Sequence, residues 1–344
     1  GKWGIAAYPG TNFDGGIDEF NIIKGIAKYT ENFIPENQIN DENSVLSMNF
    51  SSAGVDGLAY DYSGYGNHGA TINDVTWIEN IYGCTDELAC NYNEEANIDG
   101  PCDYSCRDNG DYSLSFDGIE DWITIDYNNS LNLTNNLSMD FIIKVGDQLP
   151  SDYVGLIGTW ANQTSDGDAI SSYGINLKND GRLEVIRPYD SSWHTVLSNM
   201  HVNDNAHHHV VVVYDLNGTY LYIDGVLDSY NSDGGNLNTI QGFTIGSDIN
   251  KTVSFDGIID DVNIWNYPLT EDEIQNLNVT GDEEGLVANW KFNQGSDGDY
   301  PDILIDYSGN RNHGTINGAT WVENIEGCTD PLACNFIDEA IYDD

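Results

Sequence analysis

The chain has 344 residues, and 57 acidic side chains against 11 lysines and arginines give it a formal net charge of −46. This charge repels nucleic acids and anionic membrane surfaces, and no apolar run reaches the ~18 residues of a membrane helix, so we expect neither nucleic-acid binding nor membrane insertion. Because 40% of the residues are hydrophobic, the chain can bury a core, and its acidic excess indicates a solvated surface with some carboxylates available for divalent cations.

The sequence contains a long internal repeat that begins near the N-terminus. Residues 12–22 (NFDGGIDEFNI) recur at 254–264 (SFDGIIDDVNI), and residues 61–92 recur at 306–336 with one residue inserted near Ala70. The period of roughly 240 residues is far longer than the 20–50 residues of a solenoid repeat. We therefore interpret it as a repeated domain.

All six cysteines lie in two related segments, 83–106 and 327–344. Cysteines confined to loop-rich segments favour disulfides and an oxidising, extracellular location, and the absence of a CxxC pair argues against zinc. Pairing by proximity, Cys84–Cys90 with Cys102–Cys106, is the simplest arrangement, but four cysteines allow three connectivities and the sequence does not choose among them. The cysteines predicted to form disulfides are Cys84, Cys90, Cys102, Cys106, Cys328 and Cys334.

The loop NYNEEANIDG at 91–100 gathers oxygen atoms of the kind that calcium prefers. Its candidate ligands are Asn91, Asn93 and Asp99. Their spacing only loosely resembles a calcium loop and does not follow the D-x-[DN]-x-[DN]-G pattern. The alternative is a loop held by disulfides and Asx-turns.

Short apolar or alternating runs, separated by Gly, Asn and Asp, fill residues 107–280 and predict antiparallel strands. The clearest hairpin joins Val210–Tyr214 to Thr219–Ile223 through a turn at Asn217–Gly218, and a second turn follows at Asp224–Gly225. The one helix signal is PLTEDEIQNL, in which Thr270 and Glu273 form a capping box. The chain is therefore predicted to be all-β, as a two-sheet antiparallel sandwich.

Three stretches resemble the opening, middle and closing signatures of laminin-G-like jelly rolls in the concanavalin A-like lectin/glucanase superfamily. They are YSLSFDGIEDWITI at 112–125, HHVVVVYDLNGTYLYIDGVL at 208–227 and FDGIIDDVNIWNYPLTEDEI at 255–274. The motif GCTDxxACNY is similar to a cysteine repeat of large bacterial surface proteins. The resemblance implies a jelly-roll sandwich with small disulfide-bearing linker modules, in a secreted tandem-repeat protein.

The resemblance also implies a division of the chain. Residues 1–82 are the closing strands and appendix of a preceding jelly-roll repeat, and 83–109 are a cysteine-rich linker module. Residues 110–324 are a complete jelly roll with its C-terminal appendix, and 325–344 start the next module. We therefore expect the chain to be a window on a longer tandem polypeptide, with neighbouring copies of the repeat, in the same or adjacent chains, as its partners.

Jelly rolls of this superfamily often hold Ca²⁺ between the first and last strands, and the matching positions here carry carboxylates. The candidate ligands are Asp117, Glu120, Asp121, Asp256, Asp260 and Asp261. Carboxylates from adjacent strands with backbone carbonyls suit a cation that takes six to eight oxygens. The alternative is that FDG provides turn chemistry and the other acids face solvent. Asp121 and Asp260 are the best individual candidates.

Two further residue groups suggest ligands. His207 and His209 share one strand face, but the resemblance implies that histidine at this strand start packs and hydrogen-bonds rather than binding metal. Trp160, Tyr189 and Trp193 lie in predicted long loops or edge strands, where they can stack on surface glycans or instead belong to the core.

No E-x-D-x-x-E glucanase motif, G-x-S-x-G motif or Cys/His arrangement occurs, so we expect no enzyme. The favoured interpretation is a calcium-stabilised, extracellular, tandem-repeat structural or adhesive protein of a bacterial cell surface. The alternative is a carbohydrate-binding module array of a larger polysaccharide-degrading enzyme.

Overall fold

A computed structural model describes residues 7–8, 11–12, 17, 20–25, 43–48, 50, 58–70, 78–159, 173–189, 192–237, 242–248, 251, 253–295, 300–325 and 327. The chain divides into two compact units, residues 1–80 and 81–344. The finer predicted division of the second unit into module, jelly roll and appendix remains a prediction. Within the described part of the chain, no helix has the length and apolar character needed to cross a membrane.

The described strands of the first unit form three two-stranded antiparallel sheets, β1–β2, β3–β4 and β5–β6. Their bounds are β1 (Ala7–Tyr8), β2 (Thr11–Asn12), β3 (Phe20–Ile23), β4 (Ser44–Met48), β5 (Leu58–Ala59) and β6 (Gly69–Ala70).

The second unit is built almost entirely of strands. They are β7 (Tyr82–Gly83), β8 (Ile98–Asp99), β9 (Tyr112–Asp117), β10 (Trp122–Ile125), β11 (Leu137–Val145), β12 (Tyr153–Gly158), β13 (Gly174–Lys178), β14 (Arg182–Tyr189), β15 (Ser192–His201), β16 (His208–Asp215), β17 (Gly218–Ile223), β18 (Val226–Asn231), β19 (Phe243–Ile245), β20 (Asp256–Trp265), β21 (Leu286–Trp290), β22 (Ile303–Leu304), β23 (Gly314–Asn317) and β24 (Thr320–Glu323). The described helices are α1 (Glu271–Gln275) and two short 3₁₀ helices, Ser105–Arg107 and Asn129–Leu131.

Two eight-stranded antiparallel sheets form the body of this unit. The first has the order β15-β14-β13-β12-β19-β10-β23-β22. The second has the order β18-β17-β16-β11-β20-β9-β24, with β21 also paired to β20. This arrangement confirms the predicted all-β, two-sheet jelly-roll sandwich.

The core lies between the two sheets because alternate side chains of each strand point inward. Fully buried members from different strands include Phe141, Ile175, Tyr214 and Trp290. A smaller apolar cluster covers the outer face of the second sheet, where Ile274 of α1 packs near Trp265 and Val213.

The predicted helix start and the two predicted hairpin turns can be compared with the structure. Thr270 and Glu273 form the predicted capping box, with each side chain bonded to the other residue's amide. The turn at Asp224–Gly225 is also confirmed, and both residues have the positive φ of a type I′ turn. The first turn lies one residue earlier than predicted: Asp215 pairs with Gly218, and its carboxylate accepts the amides of Asn217 and Gly218 at 2.7 and 2.8 Å.

Arg187 of β14 joins the two sheets through the core. Its side chain is 1% exposed, and its guanidinium donates to the backbone carbonyls of Asp215, Gly218 and Gly235 and to the Thr219 hydroxyl. These acceptors surround the β16–β17 turn of the opposite sheet. A buried charge of this kind is tolerated because both terminal guanidinium nitrogens are hydrogen-bonded to carbonyl or hydroxyl oxygens.

The repeated sequence adopts the same local structure in both units. Strand β3 pairs with β4 in the register in which β20 pairs with β21, and both pairs carry a bulge at the same place. Phe50 and Phe292, which follow β4 and β21 at matching positions, have positive φ values of 48° and 59°. The backbone of the repeat is therefore reproduced, and the chemistry of its loop can be compared residue by residue.

Candidate functional site

The cysteine module, residues 83–106, is closed by two interleaved disulfides. Cys84 is bonded to Cys102 and Cys90 to Cys106, with Cα–Cα distances of 4.9 and 5.8 Å. The proximity pairing of Cys84 with Cys90 is therefore wrong. The reason is that β7 and β8 pair in parallel, which brings the chain after Gly83 beside the chain after Asp99. Cys328 and Cys334 lie outside the described residues.

The candidate calcium ligands of the module make bonds within it. Asn91 accepts the Asp103 amide at 2.9 Å and donates to the Pro101 carbonyl at 3.0 Å. Asn93 accepts the Glu95 amide at 3.1 Å in an Asx-turn. These bonds are the ones expected of a loop held by disulfides and Asx-turns, while calcium binding here stays a prediction.

The module docks onto the loop that follows β22. His313 Nε2 lies 2.8 Å from a carboxylate oxygen of Asp86, and Arg311 forms an ion pair with Asp99 and donates to the Thr85 hydroxyl at 3.2 Å. Hydrogen bonds from Thr85 and Arg311 hold the pKa of Asp99 below its usual value. Three charged or polar contacts therefore join residues more than 200 positions apart in the sequence.

An apolar contact completes this interface. Tyr104 is buried and meets the rings of Tyr307 and His313 edge-on, at centroid distances of 6.4 and 5.2 Å. Cys84 and Ile305 belong to the same buried cluster. Burial, and then the hydrogen bond to Asp86, raises the pKa of Tyr104, so its hydroxyl stays a donor to the Asp86 carboxylate at 2.6 Å.

The protonation of His313 follows from its bonds. Its Nδ1 accepts the backbone amide of Asp306 at 3.0 Å, so the ring proton of the neutral form is on Nε2 and is donated to Asp86. Although burial alone would raise it, hydrogen bonds from Tyr104, the Leu88 amide and His313 lower the pKa of Asp86. The pair is thus a carboxylate that accepts from an imidazole.

The predicted calcium positions near β9 separate into two groups. Asp117 and Asp256 are cross-strand partners, but a carboxylate oxygen of Asp256 accepts the Gln148 amide at 2.7 Å. Asp121 is buried and accepts the Asp117 amide at 2.8 Å. Burial and the neighbouring Asp117 charge raise the pKa of Asp121. Glu120 is exposed in the same turn.

Asp260 and Asp261 form the second group, at a bulge in β20. Asp260 is buried, accepts the Asp261 amide at 2.8 Å and accepts the Asn324 side-chain amide at 2.9 Å. Asp261 keeps solvent contact, yet its crowded surroundings raise its pKa to about 6, through desolvation first and then the charges of Asp140 and Asp111. Among the residues the structure describes, no three Asp, Glu, His or Cys side chains converge closely enough to hold a metal ion.

Two of the predicted glycan residues lie at one edge of the first sheet. Tyr189 and Trp193 belong to the β14–β15 hairpin, in which Tyr189 pairs with Ser192 and Pro188 with Trp193. Trp160 falls outside the described residues. The hairpin therefore places two of the three predicted aromatic residues in adjacent strands, and glycan contact stays a prediction.

His208, rather than His207 or His209, makes the strong contacts in the histidine run. It is buried, with Nδ1 2.9 Å from Asp224 and Nε2 3.0 Å from Asp204. Burial alone would lower the pKa of His208, but the hydrogen bonds and charges of the two carboxylates outweigh it and raise the pKa. Burial, aided by Lys144, lowers the pKa of His207 to about 4.

A raised pKa makes His208 a source of pH-dependent stability. Its contribution is complete below the unfolded pKa of about 6.5 and is lost as the pH rises through the folded pKa. In urea denaturation, the stability difference between wild type and His208→Gln should therefore be larger at about pH 6 than at about pH 9. His201→Gln, at an exposed position, serves as the control, and a difference that grows with pH contradicts this assignment.

Sequence reasoning did not identify the docking residues Asp86, Tyr104, Arg311 and His313. The available signal was the joint recurrence of GCTD and NHG in both copies of the repeat. Because the two motifs recur together and neither matches a catalytic motif, their recurrence could have indicated that they contact each other.

Residues 117–275 match a family model of the laminin G type, described as concanavalin A-like lectin/glucanases superfamily. Among curated proteins, none has significant sequence similarity to the chain. Among solved structures, the chain is similar to a Bacteroides ovatus protein to which carbohydrate binding is ascribed, with 20% identity and a TM-score of 0.49 over 62% of this chain and 60% of that one.

Two further solved structures resemble the chain. One is a heptameric SAP-like pentraxin from Limulus polyphemus, with 15% identity and a TM-score of 0.42 over 61% of this chain and 94% of that one. The other is mouse laminin α1, domains LG4–5, with 14% identity and a TM-score of 0.35 over 45% and 41%. The family match confirms the predicted concanavalin A-like fold, and residues 117–275 are the part of the chain that is similar to the laminin G family model.

Proposed function

We propose that this protein is a non-enzymatic, extracellular structural and adhesive protein of a cell surface, built from tandem β-sandwich repeats. The observation that carries the proposal is the cysteine module, which is cross-linked twice and docked on the sandwich through Asp86, Asp99, His313 and Arg311. The disulfides favour an oxidising compartment, and the reproduced local structure of the two repeat copies supports a tandem arrangement.

The disulfides and the docking contacts should make the cysteine module resist extension under load. A Gly/Ser linker of the same length would behave as a flexible coil, whereas the module is fixed at its disulfides and at its interface. The module therefore transmits load to the sandwich instead of extending. The charge of −46 discourages lateral aggregation of such a protein.

Force spectroscopy on the full chain, pulled by its ends, tests the load-bearing role. In oxidising buffer the segment between Cys84 and Cys102 should release no length, because the disulfide spans it. Reductant should add about 60 Å of extension, the reach of the eighteen or so residues that the bond hides. The same released length in oxidising and reducing buffer contradicts a disulfide-locked, load-bearing module.

The β14–β15 hairpin gives a second candidate function, glycan binding within an array of carbohydrate-binding modules. A glycan array with the full chain separates the two functions. A specific signal that Tyr189→Ala and Trp193→Ala both remove supports glycan binding through this hairpin. If no glycan on the array gives a signal above background, the structural role is the remaining candidate function.

Calcium is proposed as a stabilising ion, and Asp121 and Asp261 are two predicted ligands whose surroundings raise the pKa of the carboxyl, which a cation would relieve. EDTA should lower the melting temperature of the full chain, and a site at a hundredfold excess of Ca²⁺ over Kd would contribute about 2.7 kcal/mol. Because Asp121 and Asp261 lie in separate groups, Asp121→Asn or Asp261→Asn should each remove part of the response and the double mutant all of it, whereas Asp126→Asn, at an exposed position, should keep it. A melting curve that EDTA leaves unchanged contradicts the calcium proposal.

A further inference from the structure

The two disulfides of the cysteine module differ in how far their sulfur atoms can be reached from solvent. Cys90 and Cys106 are both exposed, and we name their bond the exposed disulfide. Cys84 is 1% exposed and Cys102 is half-buried, and we name their bond the covered disulfide. Cys84 belongs to the buried cluster of the docking interface, and Cys102 packs against that cluster. Docking therefore shields one disulfide and leaves the other open.

Arg311 of the docking loop lies against the less buried sulfur of the covered disulfide. Its Nη2 atom is 3.1 Å from Cys102 Sγ. The ion pair with Asp99 and the bond to the Thr85 hydroxyl hold the guanidinium in this position. The contacts that dock the module thus also place a cation beside the disulfide.

Thiol–disulfide exchange needs one sulfur that can be attacked and another that can leave as a stable thiolate. At the covered disulfide these two requirements fall on the wrong sulfurs. Attack on Cys84 would release a Cys102 thiolate beside the Arg311 guanidinium, but Cys84 is out of reach. Attack on Cys102 would release a thiolate at Cys84, whose apolar surroundings disfavour it. Both routes are therefore slow while the module is docked.

The exposed disulfide meets both requirements together. Cys106 can be reached from solvent, and its backbone amide donates to Cys90 Sγ at 2.9 Å, where it would stabilise a departing thiolate. A small dithiol can attack Cys106 Sγ, which breaks the bond to Cys90 and leaves a Cys90 thiolate that takes up a proton. The second thiol of the reductant then releases Cys106 as a thiol, and the reductant becomes a cyclic disulfide.

We propose that the exposed disulfide is exchangeable and that the covered disulfide is cryptic, so that thiols reach it only when the cysteine module leaves the sandwich. The docking interface is then a gate on thiol chemistry as well as a mechanical contact. Undocking would uncover the second disulfide for exchange with an outside thiol. The inference goes beyond the proposed adhesive role, because it depends only on how the module is docked.

Reduction of the native full chain by dithiothreitol, stopped at intervals by alkylation and followed by peptide mass spectrometry, tests this gate. The exposed disulfide should open first, and an intermediate that keeps the covered disulfide should accumulate. His313→Ala and Asp86→Asn, on the two sides of the docking contact, should each speed the opening of the covered disulfide about tenfold and leave the exposed one unchanged. His201→Ala and Asp126→Asn, at exposed positions of the sandwich, are the matched controls and should change neither rate.

Three results overturn the proposal: the covered disulfide opening first or together with the exposed one, no change in its rate in either docking variant, or an equal rise at both disulfides. The equal rise would mean that the module unfolds rather than undocks. In denaturant the order should disappear, and an order that persists there would come from the local sequence instead of docking. The load-bearing test uses chains reduced to completion, so its success or failure is independent of this order.

Discussion

Replacing Arg187 with methionine is expected to lower the free energy of unfolding by about 3–5 kcal/mol. Methionine fills much of the volume but leaves the carbonyls of Asp215, Gly218 and Gly235 without their donor. Each buried acceptor left unpaired costs about 1–3 kcal/mol, and the two sheets also lose the side chain that joins them. Urea denaturation followed by tryptophan fluorescence measures the loss.

Arg182→Met on the same strand is the control for this prediction. Arg182 is partly exposed and pairs with Asp180 at 2.7 Å, so its loss should cost less than about 1 kcal/mol. Equal effects at the two arginines would show that Arg187 is not the cross-sheet connection described here.

Removing the Cys84–Cys102 disulfide by a double serine substitution should destabilise the module by about 3 kcal/mol, the value expected for closing a loop of this length. The module is small, and its buried cluster contains few apolar side chains, so most of its order depends on the cross-links. Limited proteolysis of the oxidised double mutant should therefore cut within residues 81–110, where the wild type resists.

Cys90 and Cys106 remain paired in this mutant, which keeps one cross-link as an internal reference. Wild-type resistance to proteolysis in the mutant would mean that docking alone holds the module. Mapping non-reduced peptides by mass spectrometry should also recover Cys84 with Cys102, and a Cys84–Cys90 peptide contradicts the connectivity described above.

The local parts of the fold were predictable from short sequence signals. Asp224–Gly225 predicts its turn because both residues tolerate positive φ, and Thr270 with Glu273 predicts the helix start because the two side chains satisfy each other's amides. Such features depend on residues within four positions of each other. The resemblance at 112–125, 208–227 and 255–274 then supplied the architecture.

The site was less predictable because its contacts are long-range. The parallel pairing of β7 with β8 determines the disulfide connectivity. A parallel pair of only two residues per strand leaves no recognisable pattern in the local sequence. Asp86 meets His313 across 227 positions, and Arg187 meets carbonyls that any residue could have provided. The carboxylates predicted to share calcium divide between two groups because Asp256 and Asp260 are each bonded to other partners.

The most direct test of the docked module is a double-mutant cycle between Asp86 and His313. Asp86→Ala, His313→Ala and the double mutant of the full chain would be compared by urea denaturation. Since the two side chains bond at 2.8 Å in a largely buried interface, the coupling energy should be about 1–2 kcal/mol. Additivity within about 0.3 kcal/mol would contradict the docking of the cysteine module on the sandwich.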